Sequence, residues 1–292
     1  MRVRKLLEAA ALSLLPAALL ILAIPPANAQ APAPAPTQGP GKVAPDLCLA
    51  MAEAPTKRGP SGISIPSLVQ PAQLKIGETR ISYVGHSTFL LETQRGVRIA
   101  TDYNDYVRPA VIPEIVTMNR AHSTHYTNNP DPSILHVLRG WNPEGGHAQH
   151  DLSLEDVRVR NVPTNIRTYA GGTDTWGNSI FVFETGNLCI GHLGHLHHTL
   201  TTQQLAQIGQ LDVVLVPVDG SFTLDVQGMV EVLKALKAPL MIPMHYFSSY
   251  TLERFLHEAR PHFEVEMSEV PTTVVSRATL PKAPKILVLP GN

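Results

Sequence analysis

From Thr79 onward, apolar and polar positions alternate in short runs, beginning with Arg80-Ile81-Ser82-Tyr83-Val84, Phe89-Leu90-Leu91-Glu92 and Val97-Arg98-Ile99-Ala100-Thr101. Turn-forming stretches at Gly85-His86-Ser87-Thr88 and Gln94-Arg95-Gly96 separate them, so each run predicts a β-strand. Ile115-Val116-Thr117-Met118, Val157-Arg158-Val159-Arg160, Ser179-Ile180-Phe181-Val182-Phe183 and Leu188-Cys189-Ile190 extend the series. The period then changes. Thr201-x-x-Gln204 is a capping box that opens a helix carrying Leu205 and Ile208. Asp212-Val213-Val214-Leu215-Val216 follows as a buried strand. Val226, Met229, Val230, Leu233 and Leu236 recur at helical spacing until Pro239 stops the run. Leu240-Met241-Ile242-Pro243 predicts a further strand and residues 252–259 a last helix. A meander followed by β-α-β alternation predicts an α/β fold with packed sheets and helices outside.

The first 76 residues follow other rules. Arg2, Arg4 and Lys5 precede an apolar stretch from Ala9 to Ile24, and Ala27-Asn28-Ala29 offers a small-residue cleavage site. Residues 1–29 therefore read as a signal peptide, and the rest as periplasmic or secreted, with no stable membrane span after cleavage. Twelve of the 26 prolines fall in residues 1–76, and Ala31-Pro32-Ala33-Pro34-Ala35-Pro36 is an extended spacer. Residues 30–76 read as a Pro/Ala-rich tether with room for one short docked piece, leaving 77–292 as the folded domain. Two cysteines, Cys48 and Cys189, exclude an all-cysteine zinc site. A disulfide between them is chemically allowed in an oxidising compartment but not dictated. A formal net charge of −1 supplies no field for nucleic acid or anionic lipid, and a small-molecule partner is expected only from the resemblance given below.

Thirteen histidines are the unusual feature. Polar loops follow apolar strands at Asn119-Arg120-Ala121-His122-Ser123-Thr124-His125, Asn161-Val162-Pro163-Thr164-Asn165, His192-Leu193-Gly194-His195-Leu196-His197-His198 and Met244-His245-Tyr246. Imidazoles converging from separate strand ends suit a transition metal, because neutral histidine binds zinc and its neighbours well.

Residues 79–250 resemble the metallo-β-lactamase superfamily, in the branch of ascorbate-6-phosphate lactonase-like hydrolases. The motifs are Gly85-His86-Ser87-Thr88-Phe89, Ala100-Thr101-Asp102, Gly177-Asn178-Ser179-Ile180-Phe181, His192-Leu193-Gly194, Pro217-Val218-Asp219-Gly220 and Ile242-Pro243-Met244-His245-Tyr246. The resemblance implies a four-layer αβ/βα sandwich with a site along one edge of its two sheets. The family's signature H-x-H-x-D-H is degenerate here: Arg120-Ala121-His122-Ser123-Thr124-His125 stands in its place. The family's next histidine falls on Asn165 and its bridging aspartate on His195.

These exchanges alter the expected chemistry. A guanidinium stays protonated, so Arg120 repels a metal at the family's first site. The second site keeps His125 and His245 and gains His195. We expect one divalent ion there, zinc first, iron or manganese second, with His122 as fourth ligand or proton carrier. Asp102 is read as a base or orienter, or else as a turn cap. Arg120 is read as a clamp on an anionic substrate group, or else as half of a structural ion pair. His86, Asn165, His192 and His198 are expected around the ligands, with His197 additional. His147-x-x-His150 reads as a second metal site or a solvated loop. Trp141, Trp176 and Tyr246 read as pocket walls or as packing. The expectation is an exported metal-dependent hydrolase acting on an ester, lactone, amide or phosphoester. Its rivals are a non-catalytic metal- or anion-binding protein on the same fold, and a metal carrier using residues 192–198 as an exposed tract.

Overall fold

The structure, a computed structural model, describes residues 47–50, 73–168 and 170–291. The expected signal peptide and most of the expected tether lie outside them. In chain order the elements are α1 (Leu47–Ala50), β1 (Glu78–Gly85), β2 (Thr88–Glu92), β3 (Arg98–Ala100), β4 (Ile115–Met118), β5 (His136–Arg139), β6 (Asp151–Leu154), β7 (Val157–Arg167), β8 (Thr173–Thr185) and β9 (Leu188–His192). The second half holds α2 (Thr202–Ile208), β10 (Val213–Pro217), α3 (Val226–Leu236), β11 (Leu240–Met244), α4 (Ser249–Ala259), β12 (Glu264–Met267), β13 (Thr272–Ser276) and β14 (Lys285–Val288).

The strands form a six-stranded sheet, β13-β1-β2-β3-β4-β5, and an eight-stranded sheet, β12-β14-β11-β10-β9-β8-β7-β6. Alternation decides what each face meets. Ile81, Phe89, Leu91, Ile99, Phe181, Phe183, Leu215 and Ile242 point between the sheets and form one core. Their neighbours Ile180, Val182, Val214, Val216 and Met241 point the other way and pack against Ile208, Met229, Leu233 and Phe255 of the helices. Strands such as β10 are buried on both faces, which is why they read as unbroken apolar runs. The result is the expected α/β two-sheet sandwich. Among the described residues the helices all join the core on the eight-stranded sheet. Tyr103, Tyr126, Ile134 and Trp141, none in a helix, cover the outer face of β3, β4 and β5.

Local signals set the helix ends. Thr201 and Gln204 complete their capping box, and Ser248 and Thr251 form a second one that starts α4 three residues before its first buried leucine. β7 and β8 outrun their apolar stretches because polar residues keep pairing, as in Asn161 with Phe181 and Thr164 with Asn178. Cys48 and Cys189 form a disulfide, with both residues buried, that fixes α1 beside β9. Residues 47–50 are thus a docked piece of the expected tether.

The topology also fixes where chemistry can occur. β9, β10 and β11 are parallel, as are β3 and β4. The loops at their carboxyl ends carry the histidines, at the edge where such sheets commonly bind ligands.

Candidate functional site

Four imidazoles meet at that edge. His122, His125, His195 and His245 each offer a ring nitrogen, and these nitrogens all lie within 4.8 Å of one another. His125, His195 and His245 are buried and His122 is half-buried.

His125 and His245 are held from behind by carboxylates. The Nδ1–H of His125 donates to Asp102 Oδ2 at 2.6 Å, and Ser87 Oγ lies 3.1 Å from the same nitrogen. Asn119 Nδ2 donates to the other Asp102 oxygen at 3.0 Å, while its Oδ1 accepts from Ser179 N–H, which links the two sheets. The Nδ1–H of His245 donates to Asp219 Oδ1 at 3.0 Å. Asp219 also accepts from the backbone of Ser221 and Phe222 and from the Thr223 hydroxyl. His86, Asp102 and His245 all have positive φ, at 52°, 42° and 57°, so the surrounding hydrogen bonds hold a costly backbone in place.

This arrangement leaves a specific demand. With both Nδ1 protons spent on carboxylates, each Nε2 presents a lone pair, and the two Nε2 atoms lie 3.1 Å apart in the interior. Two buried lone pairs at that separation repel unless a cation, either a shared proton or a metal ion, lies between them. Zinc–nitrogen bonds of about 2.0–2.1 Å in a tetrahedron place ligand nitrogens about 3.3–3.4 Å apart, close to what is seen. His195 Nδ1 contacts His197 Nε2 at 2.7 Å, while its buried Nε2 has no hydrogen-bond partner. His122 Nδ1 contacts Thr124 Oγ1 at 3.0 Å, leaving its Nε2 as well. The donor set fits one divalent metal.

The electrostatics agree. Burial pushes the imidazoles of His125 and His195 well below the ordinary histidine range, and the neighbouring rings add to it. Burial lowers His122 too, and pushes His86 down to about 4. Neutral imidazole is the form that binds metal. Burial pushes the Asp102 carboxyl up. Burial also opposes the charge on Asp219, yet its bonds from His245, Thr223 and Ser221 hold it well below the usual carboxylate range.

The other expected residues are distributed unevenly. His86 lines the cluster, its ring 4.3 Å from that of His245. His192 is buried below, bonded through Nε2 to the Ser87 carbonyl. Asn165 and His198 are bonded to each other and to the adjoining loop. Asn165 Oδ1 accepts from Trp176 N–H and its own N–H donates to His198, so both serve the loop beside the site. Arg120 is half-exposed with its guanidinium 3.6 Å from Asp174, which matches the structural ion pair, the second of its two expected readings. Asp102 acts on His125 and is fully buried, so it supports a ligand rather than meeting solvent or substrate. The exposed histidine tract is also corrected, because His192 and His195 are buried. His150 Nε2 is bonded to the Arg139 carbonyl, and among the described residues only the one cluster gathers metal-ligating groups.

A pocket of about 260 Å³ opens beside the cluster. His122, His195, His197, Ala121, Arg167, Thr168, Ser221 and Phe222 line it. Sequence reasoning missed Asp219, Ser87, Asn119 and Arg167. Asp219 had a readable signal, a carboxylate directly after an apolar strand, the same signal that singled out Asp102. Arg167 had none.

With this geometry in view, the comparisons are decisive for family. The profile of a β-lactamase superfamily domain matches residues 80–245, more than half of the chain. The chain belongs to the metallo-β-lactamase superfamily. It is 26% identical over 187 residues to a UPF0173 metal-dependent hydrolase of Nanoarchaeum equitans, covering 57% of this chain and 83% of that protein. It is 25% identical over 198 residues to a UPF0173 metal-dependent hydrolase of Thermoplasma volcanium, covering 58% and 84%. Among solved structures it resembles a protein of Thermotoga maritima described as a candidate Zn-dependent hydrolase of this superfamily. That match has a TM-score of 0.53 and 27% identity, and covers 72% of this chain and 98% of that one.

Proposed function

We propose that this protein is an exported metal-dependent hydrolase with one divalent ion, zinc in the first instance, held by His125, His195 and His245. We place it in the lactonase-like branch, with a degenerate signature. The observation that carries the reading is the 3.1 Å approach of the buried Nε2 atoms of His125 and His245, each ring fixed from behind by a carboxylate. All-nitrogen ligation favours zinc over magnesium or calcium. The relatives described as metal-dependent hydrolases support the same class of reaction.

When bound, a divalent ion supplies Lewis acidity and acidifies water. The chain's own residues do the rest. Asp102 and Asp219 fix the tautomers and raise the basicity of His125 and His245, compensating the charge that coordinating aspartates supply elsewhere in the family. His122 faces the pocket as a neutral imidazole, and its Nε2 takes a proton from the attacking water and passes it to the leaving group of an ester, lactone, amide or phosphoester. Export rests on the pattern of residues 1–29 and on the Cys48–Cys189 bond, a type that persists in oxidising compartments.

One observation favours a second reading. All four imidazoles together would fill a tetrahedral shell, which is the arrangement of a structural or binding site with no open position. Metal analysis and an ester and lactone panel separate the two. The hydrolase reading expects close to one metal per chain and turnover, both lost in His245→Ala. Full metal with no turnover on any substrate class favours the binding protein.

A further inference from the structure

We infer that the substrate of this site is an anionic compound with an apolar group, its oxyanion held by Arg167 and its apolar part by Phe222 and Phe247. This rests on the hydrolase reading and names the substrate class for it. Arg167 is the permanently charged side chain among the pocket's lining residues, and no acidic side chain lines the pocket. Its described contacts are with neutral groups: Nη2 donates to the Thr223 carbonyl at 2.9 Å, and Nε lies 3.3 Å from His197 Nδ1. Arg120, which sequence suggested for this task, already faces Asp174. These two contacts hold the Arg167 fork at the pocket with its charge uncompensated, ready for a carboxylate or phosphoryl group. His197, which braces Arg167, also contacts the metal-ligating His195, so the anion subsite is built onto the metal cluster.

The apolar half lies beside it. Phe222 and Phe247 are 55% and 53% exposed, although aromatic side chains of that size gain by burial. Their rings stand edge to face at 5.5 Å, and they flank the cluster, Phe222 at 6.4 Å from His122 and Phe247 at 5.2 Å from His245. A ligand in the pocket meets the Arg167 cation and the Phe222 ring, and one that extends past Phe222 meets Phe247 against it.

Calorimetric titration of the zinc-loaded full chain tests this independently of turnover. The probes are phenylacetate, phenyl phosphate, phenylacetamide and acetate. We expect both aryl anions to bind at least tenfold more tightly than phenylacetamide. Arg167→Gln should erase that advantage while keeping its metal, and Arg167→Lys should restore part of it. Phe222→Ala should weaken the aryl anions about three- to tenfold and leave acetate unchanged. Equal binding of phenylacetate and phenylacetamide, or an unchanged phenylacetate affinity in metal-replete Arg167→Gln, overturns the inference. The hydrolase reading fails separately, by absence of turnover, even if these binding differences are seen.

Discussion

The two halves of the site are built to different standards. Behind the cluster, His125 and His245 are fully buried and each is tied to a carboxylate, Asp102 held in turn by Asn119 and Asp219 by Ser221, Phe222 and Thr223. In front, His122 is half-buried with one hydroxyl partner, and Arg167 and Phe222 reach solvent. A metal needs fixed geometry and neutral ligands, which burial and second carboxylates provide. A substrate needs access. The contrast assigns metal retention to the rear and proton transfer and selectivity to the front, and it can be broken experimentally from either side.

The largest effect belongs to the front. His122→Ala is expected to lower turnover by about 10²–10⁴-fold, the range for a lost acid–base group, while metal affinity changes only a few-fold. Parallel rate measurements and metal titration check this; loss of metal in that variant makes His122 a ligand and moves it to the rear. At the rear, Asp102→Asn is expected to weaken metal binding by about 10–100-fold, as for other carboxylates that orient ligating histidines. Competition with a chelator measures it, and an unchanged affinity would separate Asp102 from the metal.

The smallest effect is on stability. In the unfolded chain these histidines take up protons near pH 6.5, whereas burial holds His86 near 4 and His125 and His195 well below the ordinary value. Below about 6.5 the unfolded state therefore binds more protons, and stability falls as pH drops from 6.5 toward 4. Thermal melts of the metal-free protein should show Tm declining over that window. A flat or rising Tm there contradicts neutral buried imidazoles.

The same division governs what the sequence disclosed. β4, β10, β11 and α3 were legible because burial on one or two faces writes a periodic apolar pattern. β6 and β12 were not, since they are short and largely exposed, whereas Thr272-Thr273-Val274-Val275 in β13 and Ile286-Leu287-Val288 in β14 are readable β-rich runs that the strand series above leaves out. The histidine loops could be placed because each follows an apolar strand. Which carboxylate stands behind which imidazole could not, because Asp102 meets His125 from a different strand of its sheet, and Asp219 meets His245 across neighbouring loops. Arg120 and Arg167 show the limit most plainly. Both lie next to strand ends, and only three-dimensional placement shows that Asp174 claims one and leaves the other at the pocket.

An anomalous-difference map of crystals of the zinc-loaded protein, collected at the zinc edge, tests the account most directly. It predicts one strong peak within about 2.0–2.1 Å of the Nε2 atoms of His125, His195 and His245. Two peaks, a peak away from these rings, or none in protein shown to be zinc-replete contradicts it.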